Sequence, residues 1–271
     1  MISPPAPTLS RLAVVVLLAV LLAPSAAVAQ DAEQVDRGRF LRWTAGDPLG
    51  LAKGLTSRHA VYTLGAGSAL VLFTLADETI SGDAGEVRDR DNGPFLNAAN
   101  EVGDWRYAIP AAGAVFGASL LTDDARVQDA AFTSLESALY GNVLSSLLKG
   151  VFGRARPREQ QGPYDFAPFT RQRSFPSGHT TVAFAVVTPW VVYYPGPLTY
   201  GLLAVATGTA VTRVVRGDHW SSDVVGGAAL GTLVGYGLAN RHGRHPNGWS
   251  VTPVLGPGEI GLALRLGIPP R

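Results

Sequence analysis

Residues 179–212 read HTTVAFAVVTPWVVYYPGPLTYGLLAVATGTAVT, and this stretch decides the fold class. It contains two apolar segments, 179–194 and 198–212, and each is longer than an ordinary strand but has the length of a helix. Only Pro195-Gly196-Pro197 separates the two segments. Helices joined by so short a connection lie antiparallel, so the stretch predicts two neighbouring antiparallel helices.

The same composition occurs on both sides of this stretch. Four further apolar, Ala- and Gly-rich segments run approximately over residues 60–76, 107–121, 127–148 and 224–239. We therefore predict an all-α protein, a six-helix antiparallel bundle. In the last segment Gly227, Gly231 and Gly235 recur every four residues on one face, a spacing that permits close approach by another helix.

The two ends of the chain differ from the bundle. Arg11, the apolar run 12–23 and the small residues of 27–29 predict an export signal that is cleaved after residue 29; an uncleaved membrane anchor is the alternative. Near the C-terminus, 250–255, the turn 256–258 and an alternating stretch 260–268 predict a small β-hairpin. The predicted organisation is a signal peptide (1–29), an N-terminal segment (30–56), a helical-bundle domain (57–240) and a tail (241–271).

Composition and charge exclude several classes of function. The chain has no cysteine, which excludes disulfide frameworks, thiol catalysis and zinc-thiolate sites. The predicted signal holds one of the 22 basic residues and none of the 21 acidic ones, so the mature chain has no net charge. This balance argues against nucleic-acid binding. The charges are uneven, however: residues 149–219 hold eight Lys or Arg and three acids, which indicates an anionic ligand there.

Three polar segments lie at the ends of the predicted helices. The first is KGVFGRARP, from Lys149 to Pro157; the second is PSGH, 176–179; the third is RVVRGDHWSSD, from Arg213 to Asp223. In an antiparallel bundle the corresponding helix ends lie on one face. The three segments are therefore predicted to form a single site.

Phosphate chemistry accounts for the residue types in these segments. Lys149, Arg156 and Arg213 supply cationic donors for phosphoryl oxygens, and each planar arginine can bond two oxygens. Ser177 and Gly178 lie at a predicted helix N-terminus, where exposed amides favour an anion. We predict these five residues as the phosphate-binding set.

The two histidines of the motifs divide the remaining work. His219 and Asp223 are four residues apart, which places them on one helical face, and a carboxylate bonded to one ring nitrogen leaves the other free to attack. His219 is therefore the predicted nucleophile. No carboxylate follows His179 at this spacing, and its position among phosphate-binding groups suits protonation of the leaving oxygen. Since no dense carboxylate-histidine cluster accompanies the basic motifs, we predict a reaction that needs no metal and no cofactor.

At these residues the chain closely resembles the superfamily of type 2 phosphatidic acid phosphatases and vanadium haloperoxidases. The superfamily signature is Lys-x6-Arg-Pro, Pro-Ser-Gly-His and Ser-Arg-x5-His-x3-Asp, and Thr212 stands where Ser is usual. The resemblance extends over about 57–240. It implies the helical bundle of the acid phosphatase and vanadium haloperoxidase type and transfer of phosphate to His219. Ten positions match in order: Lys149, Arg156, Pro157, Pro176, Ser177, Gly178, His179, Arg213, His219 and Asp223.

Other charged residues have less defined roles. Five arginines near the motifs either contact the substrate or are solvated loop charges: Arg154, Arg158, Arg171, Arg173 and Arg216. The acidic segment 89–93 is interpreted as a solvated turn rather than a calcium loop. His242 and His245 lie beyond the last predicted helix, and we interpret them as a flexible basic end rather than a metal site.

The favoured function is a phosphatase acting on a phosphate monoester or diphosphate, with a phosphorylated lipid as the partner. The alternatives are a non-specific periplasmic acid phosphatase on small phosphomonoesters, a vanadate-dependent haloperoxidase and a non-catalytic phosphate-binding protein. We expect export to the bacterial periplasm or cell envelope. A soluble or peripherally attached bundle is favoured over an integral membrane protein, because the apolar segments are near the lower length limit for spanning and contain polar residues.

Overall fold

The computed structural model describes residues 38–53, 69–84, 100–243, 250–256 and 259–265. The predicted signal peptide, the segment 89–93 and His245 lie outside these residues. The described part is all-α apart from two strands, β1 (Ser250–Gly256) and β2 (Glu259–Arg265), which pair antiparallel with Ser250 opposite Arg265. The helices are α1 (Arg39–Lys53), α2 (69–84), α3 (Trp105–Ser119), α4 (Ala125–Phe152), α5 (Gly178–Tyr193), α6 (Pro197–Val215) and α7 (Ser221–His242).

Helices α3 to α7 correspond to five of the six predicted segments. The first predicted segment, 60–76, lies partly outside the described residues, and α2 continues beyond its end to residue 84. Asp77 lies in this continuation of the helix and is fully buried against other polar groups. Helix α1 lies in the N-terminal segment, to which the sequence analysis assigned no element. The predicted count of six helices is therefore not confirmed.

Side chains and one glycine define the helix ends that position the three motifs. Asp124 begins α4 by accepting hydrogen bonds from the amides of Arg126 and Val127, at 2.9 and 3.1 Å. Helix α4 ends at Gly153, which has a left-handed φ of 55° and donates its N–H to the carbonyl of Lys149 at 3.0 Å. The chain reverses there, so the first motif folds back over the end of α4.

Helix α5 is central and packs against α3, α4, α6 and α7. Its approach to α7 is close, because a β-carbon added at Gly227, Gly231 or Gly235 would lie less than 3.0 Å from atoms of α5 or of Ser177, which precedes it. The close approach predicted from the glycine spacing is confirmed. This seam between α5 and α7 joins the second motif to the third.

One described helix is long and apolar enough to cross a membrane, by length and composition. It is α6, Pro197–Val215, and half of its most apolar window is buried inside the protein.

The C-terminal end of α7 differs from its prediction. His242 is the last residue of the helix and is 4% exposed. Its Nε2 lies 2.7 Å from Oδ2 of Asp47 in α1. The interpretation of His242 as part of a flexible basic end is therefore wrong, because this side chain packs between helices.

Candidate active site

The three motifs surround one cavity of about 300 Å³ at one end of the bundle. The end of α4, the start of α5, the end of α6 and the residues before α7 converge there. Six of the eight predicted site residues line the cavity: Lys149, Arg156, Gly178, His179, Arg213 and His219. The rest of its wall comes from Gly103, Trp105, Asn142, Ser145 and Ser146.

His219 is held in one orientation by groups behind it. Its ring is 2% exposed, and Nδ1 lies 3.4 Å from Oδ2 of Asp223 and 3.5 Å from Oγ of Ser174. The same carboxylate oxygen accepts the amide N–H of Trp220 at 2.9 Å and the hydroxyl of Ser174. Among the described residues, Nε2 has no hydrogen-bond partner. Nε2 is therefore the ring nitrogen available to a ligand in the cavity.

The surroundings keep the His219 imidazole neutral at physiological pH. Burial lowers its pKa to about 3, and the positive charges of Lys149 and Arg213 act in the same direction, against the opposing effect of Asp223. A neutral imidazole has a lone pair on one nitrogen, which a nucleophile requires. The electrostatics thus agree with the role predicted for His219.

A buried ion-pair array fixes Asp223. One guanidinium nitrogen of Arg154 lies 2.8 Å from Oδ1 of Asp223, and the other lies 2.8 Å from Oδ2 of Asp77 in α2. Arg154 is 1% exposed. Burial alone would raise the pKa of Asp223, but the hydrogen bond to His219 and the charge of Arg154 lower it below its usual range. Asp223 is therefore ionised, and Arg154 lies behind His219 rather than in the cavity.

Asp77 is a site component that the sequence analysis missed. Its carboxylate accepts hydrogen bonds from the hydroxyls of Ser221 and Ser222, each at 2.6 Å, and from the amide of Ser222 at 2.9 Å. These contacts fasten α2 to the first turn of α7. The only sequence signal was an acid at the edge of an apolar segment, which resembles a solvated helix end.

The cations of the cavity are close together and only partly neutralised. Burial, followed by the charge of Arg156, lowers the pKa of Lys149 to about 7. Burial also lowers the pKa of Arg213 to about 10, although Asp218 lies 2.9 Å from its guanidinium. The Nε of Arg213 is buried and has no hydrogen-bond partner in the part of the chain that the structure describes. An oxyanion in the cavity would relieve the repulsion between these cations and accept hydrogen bonds from their unused N–H groups.

His179 has a carboxylate neighbour that the sequence did not reveal. Its Nε2 lies 3.8 Å from Oδ2 of Asp104, whose side chain also caps the start of α3 by accepting the amide of Arg106. Burial, aided by Arg213, nevertheless lowers the pKa of His179 to about 4. His179 is therefore neutral without substrate. To act as the acid, it must take up a proton together with the negative charge of the substrate.

The second motif contributes Gly178 to the cavity wall, whereas Ser177 lies beneath it. Ser177 is fully buried, its hydroxyl accepts a hydrogen bond from Thr180 at 3.0 Å, and its amide donates to the carbonyl of Asp223 at 2.9 Å. Ser177 thus joins the start of α5 to that of α7.

The other arginines near the motifs lie outside the cavity wall. Arg158 is 55% exposed and pairs with Asp218, and Arg171, Arg173 and Arg216 do not line the cavity.

The pKa of Lys149 predicts how anion binding depends on pH. As the pH rises through about 7, the ammonium group loses its proton, and the cavity loses one positive charge. The affinity for sulfate, whose charge is constant in this range, should fall above pH 7 by up to about tenfold per pH unit. The change in affinity is measured as competitive inhibition of phosphomonoester hydrolysis by sulfate across this pH range. In Lys149→Arg the guanidinium stays protonated, and a decline as steep as that of the wild type would exclude Lys149 as its source.

Comparisons with known proteins agree with this geometry. Residues 130–245 match the family model described as PAP2 superfamily, which confirms the resemblance inferred from the motifs. The chain is 36% identical over 100 residues to a lipid A 1-phosphatase of Rhizobium johnstonii, covering 35% of this chain and 41% of that protein. It is 35% identical over 107 residues to phosphatidylglycerophosphatase B of Bacillus subtilis, covering 34% and 48%. The chain thus spans less than half the length of these two relatives.

Among the solved structures that align with the chain is the transmembrane PAP2 type phosphatidylglycerolphosphate phosphatase of Bacillus subtilis, with 21% identity and a TM-score of 0.47, covering 75% of this chain and 96% of that one.

Proposed function

We propose that this chain is a phosphatase that hydrolyses a lipid phosphate monoester or diphosphate through a phosphohistidine, because its residues 130–245 match the family model described as PAP2 superfamily. The observation that carries the proposal is the His219 and Asp223 pair, which lies at the same cavity as three cationic side chains. The cations bind the phosphoryl oxygens, and the histidine supplies the nucleophile.

Substrate binding uses the charges that the protein alone leaves unsatisfied. The oxygens of the phosphoryl group accept hydrogen bonds from Arg156, from Arg213 through its unpartnered Nε, and from the ammonium of Lys149. The N-terminus of α5 at Gly178 adds exposed amides and the positive end of the helix dipole. The charge that develops on the equatorial oxygens in the transition state meets the same groups, so binding and rate acceleration have one origin.

The chemical step is a displacement at phosphorus. Nε2 of His219 attacks, the N–P bond forms, and the bond to the leaving oxygen breaks, while Asp223 accepts the hydrogen bond from Nδ1–H and stabilises the positive ring. His179, protonated on arrival of the anionic substrate, transfers its proton to the leaving oxygen. A water then attacks phosphorus and gives a proton to His179, and the N–P bond breaks to release phosphate.

The surface beside the cavity favours a lipid over a small phosphomonoester. In α4, the face next to the cavity-lining residues has apolar side chains at every fourth position: Leu139, Val143, Leu147 and Val151 are 44%, 54%, 62% and 48% exposed. Trp105, which lines the cavity, is 50% exposed. Exposed apolar surface of this extent marks a contact with lipid or protein. Two named relatives act on phosphorylated lipids, and we place the enzyme at the membrane of the cell envelope.

Leu147→Gln should separate lipid from soluble substrates. The change should lower kcat/KM for a phosphatidic acid in mixed micelles about tenfold, because an apolar contact with the acyl chain is lost, and leave hydrolysis of p-nitrophenyl phosphate unchanged. Leu121, 90% exposed beyond the opposite end of α3, provides the control variant Leu121→Gln. Equal losses on both substrates, or equal effects of both variants, would contradict a lipid contact at this face.

Vanadate should inhibit the enzyme more strongly than phosphate, because it readily adopts the five-coordinate geometry of the attacked phosphorus. Arg156→Lys and Arg213→Lys keep the charge but lose the planar fork, so each should weaken vanadate inhibition of phosphomonoester hydrolysis about tenfold or more.

Arg158→Lys serves as the control, since Arg158 does not line the cavity. If both cavity variants are inhibited as strongly as the wild type, the proposed phosphate ligands are wrong. Turnover of halide with peroxide by the vanadate complex would instead favour a haloperoxidase.

A further inference from the structure

A second cluster of polar side chains lies far from the cavity. It consists of Asp47 in α1, Glu136 in α4 and His242 at the end of α7, which are 1%, 4% and 4% exposed. One potential ligand atom from each residue lies within 4.8 Å of the other two. Nineteen residues of α7 separate this cluster from Asp223, which is about 28 Å at 1.5 Å per helical residue. The proposed hydrolysis uses none of these groups.

Hydrogen bonds define which nitrogen of His242 faces the carboxylates. Nδ1 lies 2.9 Å from the hydroxyl of Thr133, which donates its own proton to the carbonyl of Asp129 at 2.6 Å. The hydroxyl therefore accepts the proton of Nδ1, and in the neutral ring the lone pair of His242 is on Nε2. This lone pair lies 2.7 Å from Oδ2 of Asp47 and 3.7 Å from Oε2 of Glu136. These three atoms converge closely enough to bind one cation between them.

The carboxylate of Glu136 also indicates a missing cation. Among the described residues, neither of its two buried carboxylate oxygens has a hydrogen-bond partner. Arg241 donates to the other oxygen of Asp47 at 2.9 Å, but its side chain is 40% exposed. One partly solvated cation leaves the second carboxylate without compensation.

We propose that Asp47, Glu136 and His242 bind one zinc ion, which fastens α1 to α4 and α7. An imidazole nitrogen with two carboxylate oxygens is a donor set that zinc accepts, and the two negative charges balance the ion. Ligand atoms around tetrahedral zinc lie about 3.3 Å apart, within the range of the two separations from Nε2. A water molecule would complete the coordination.

The surroundings of the three ligands resemble the outer shell of a metal site. Thr133 orients the imidazole through Nδ1, and Arg241 orients the carboxylate of Asp47 through the oxygen that does not face His242. Trp43 stacks on the imidazole, with ring centroids 4.1 Å apart and an interplanar angle of 7°. Outer groups of this kind fix the tautomer and rotamer of the ligands. The ion would stabilise the docking of α1 and would take no part in the hydrolysis.

The test measures bound metal and thermal stability in the full chain. The protein is treated with a chelator, dialysed, incubated with zinc and analysed by mass spectrometry for metal content. We expect one zinc per chain and a rise in Tm of several degrees on its addition. Glu136→Gln removes one charged ligand with little change in shape and should weaken zinc binding about 100-fold. Hydrolysis of a soluble phosphomonoester at 25 °C should be the same with and without the chelator.

Asp129→Asn provides the matched control. Asp129 also lies on α4 and binds α1, through Nε of Arg39 at 2.7 Å, but it is not a proposed ligand, so this variant should lose stability and keep its zinc. The visible absorption of bound cobalt gives a second readout in the wild type, should Glu136→Gln fail to fold. A wild type that retains no zinc and shows no change in Tm, or a Glu136→Gln protein that binds zinc as the wild type does, would overturn the proposal.

Discussion

Replacing His219 by alanine should reduce turnover by about 10⁴-fold or more and abolish transfer of label from a phosphorylated substrate to the protein. The reason is geometric: the ring lines the cavity, Asp223 and Ser174 hold its Nδ1 side, and Nε2 has no other partner among the described residues. Rapid quenching with ³²P-labelled substrate, followed by detection of acid-labile protein phosphate, measures the covalent step directly.

His179→Ala supplies the contrast for this prediction. Because His179 is assigned to the leaving oxygen, its loss should slow substrates with poor leaving groups most and permit label transfer from good ones. Full activity in the His219→Ala protein would end the proposed mechanism. Loss of activity with label still transferred to the variant would place the nucleophile on another residue.

Arg154→Met should destabilise the fold by about 3–5 kcal/mol, because it leaves two buried carboxylates without their shared cation. Asp77 and Asp223 are both 0% exposed, and each lies 2.8 Å from a guanidinium nitrogen of Arg154. Urea unfolding, followed by circular dichroism, gives the change in free energy. Adding Asp77→Asn to this variant should restore part of the loss, since one of the stranded charges is then removed.

The same substitution at Arg158 is the control for this array. Arg158 also pairs with an aspartate at 2.8 Å, but its side chain is 55% exposed, and an exposed pair contributes at most about 1 kcal/mol. Arg154→Met and Arg158→Met thus remove the same side chain, one from a buried array with two aspartates and the other from an exposed pair with one. Equal losses of stability in the two variants would show that the buried array is not what holds α2 to α7.

The sequence was sufficient for the parts of the molecule that depend on local pattern. Helices α3 to α7 follow long apolar segments, and α5 and α6 are joined by the short connection that set them antiparallel. The motif residues were placed together because each lies at a helix end, and six of the eight line the cavity. Residue type and spacing were enough to predict these helices and the cavity-lining residues, because each depends on residues within one or two helical turns of a recognisable motif.

The remaining parts depend on contacts between residues far apart in the chain. Asp77 and Asp104 resemble solvated acids in the sequence, yet one is buried against Arg154 and the other lies 3.8 Å from His179. Helix α1 was not predicted, because its polar face is compensated only by partners such as His242, which lies 195 residues after Asp47. A charged residue is interpreted from the sequence as solvated unless its ion-pair partner is known. For residues far apart in the chain, that partner is known only from the fold.

The glycine seam between α5 and α7 has a mechanical consequence. His179 is the second residue of α5, and His219 comes two residues before α7. A β-carbon added at Gly227, Gly231 or Gly235 would lie less than 3.0 Å from atoms of α5 or Ser177. Along these roughly two turns of α7, the two helices therefore have almost no freedom to slide or separate. The proposed proton donor and the proposed nucleophile therefore move as one stiff body. Any opening that admits a bulky substrate must hinge elsewhere in the cavity wall.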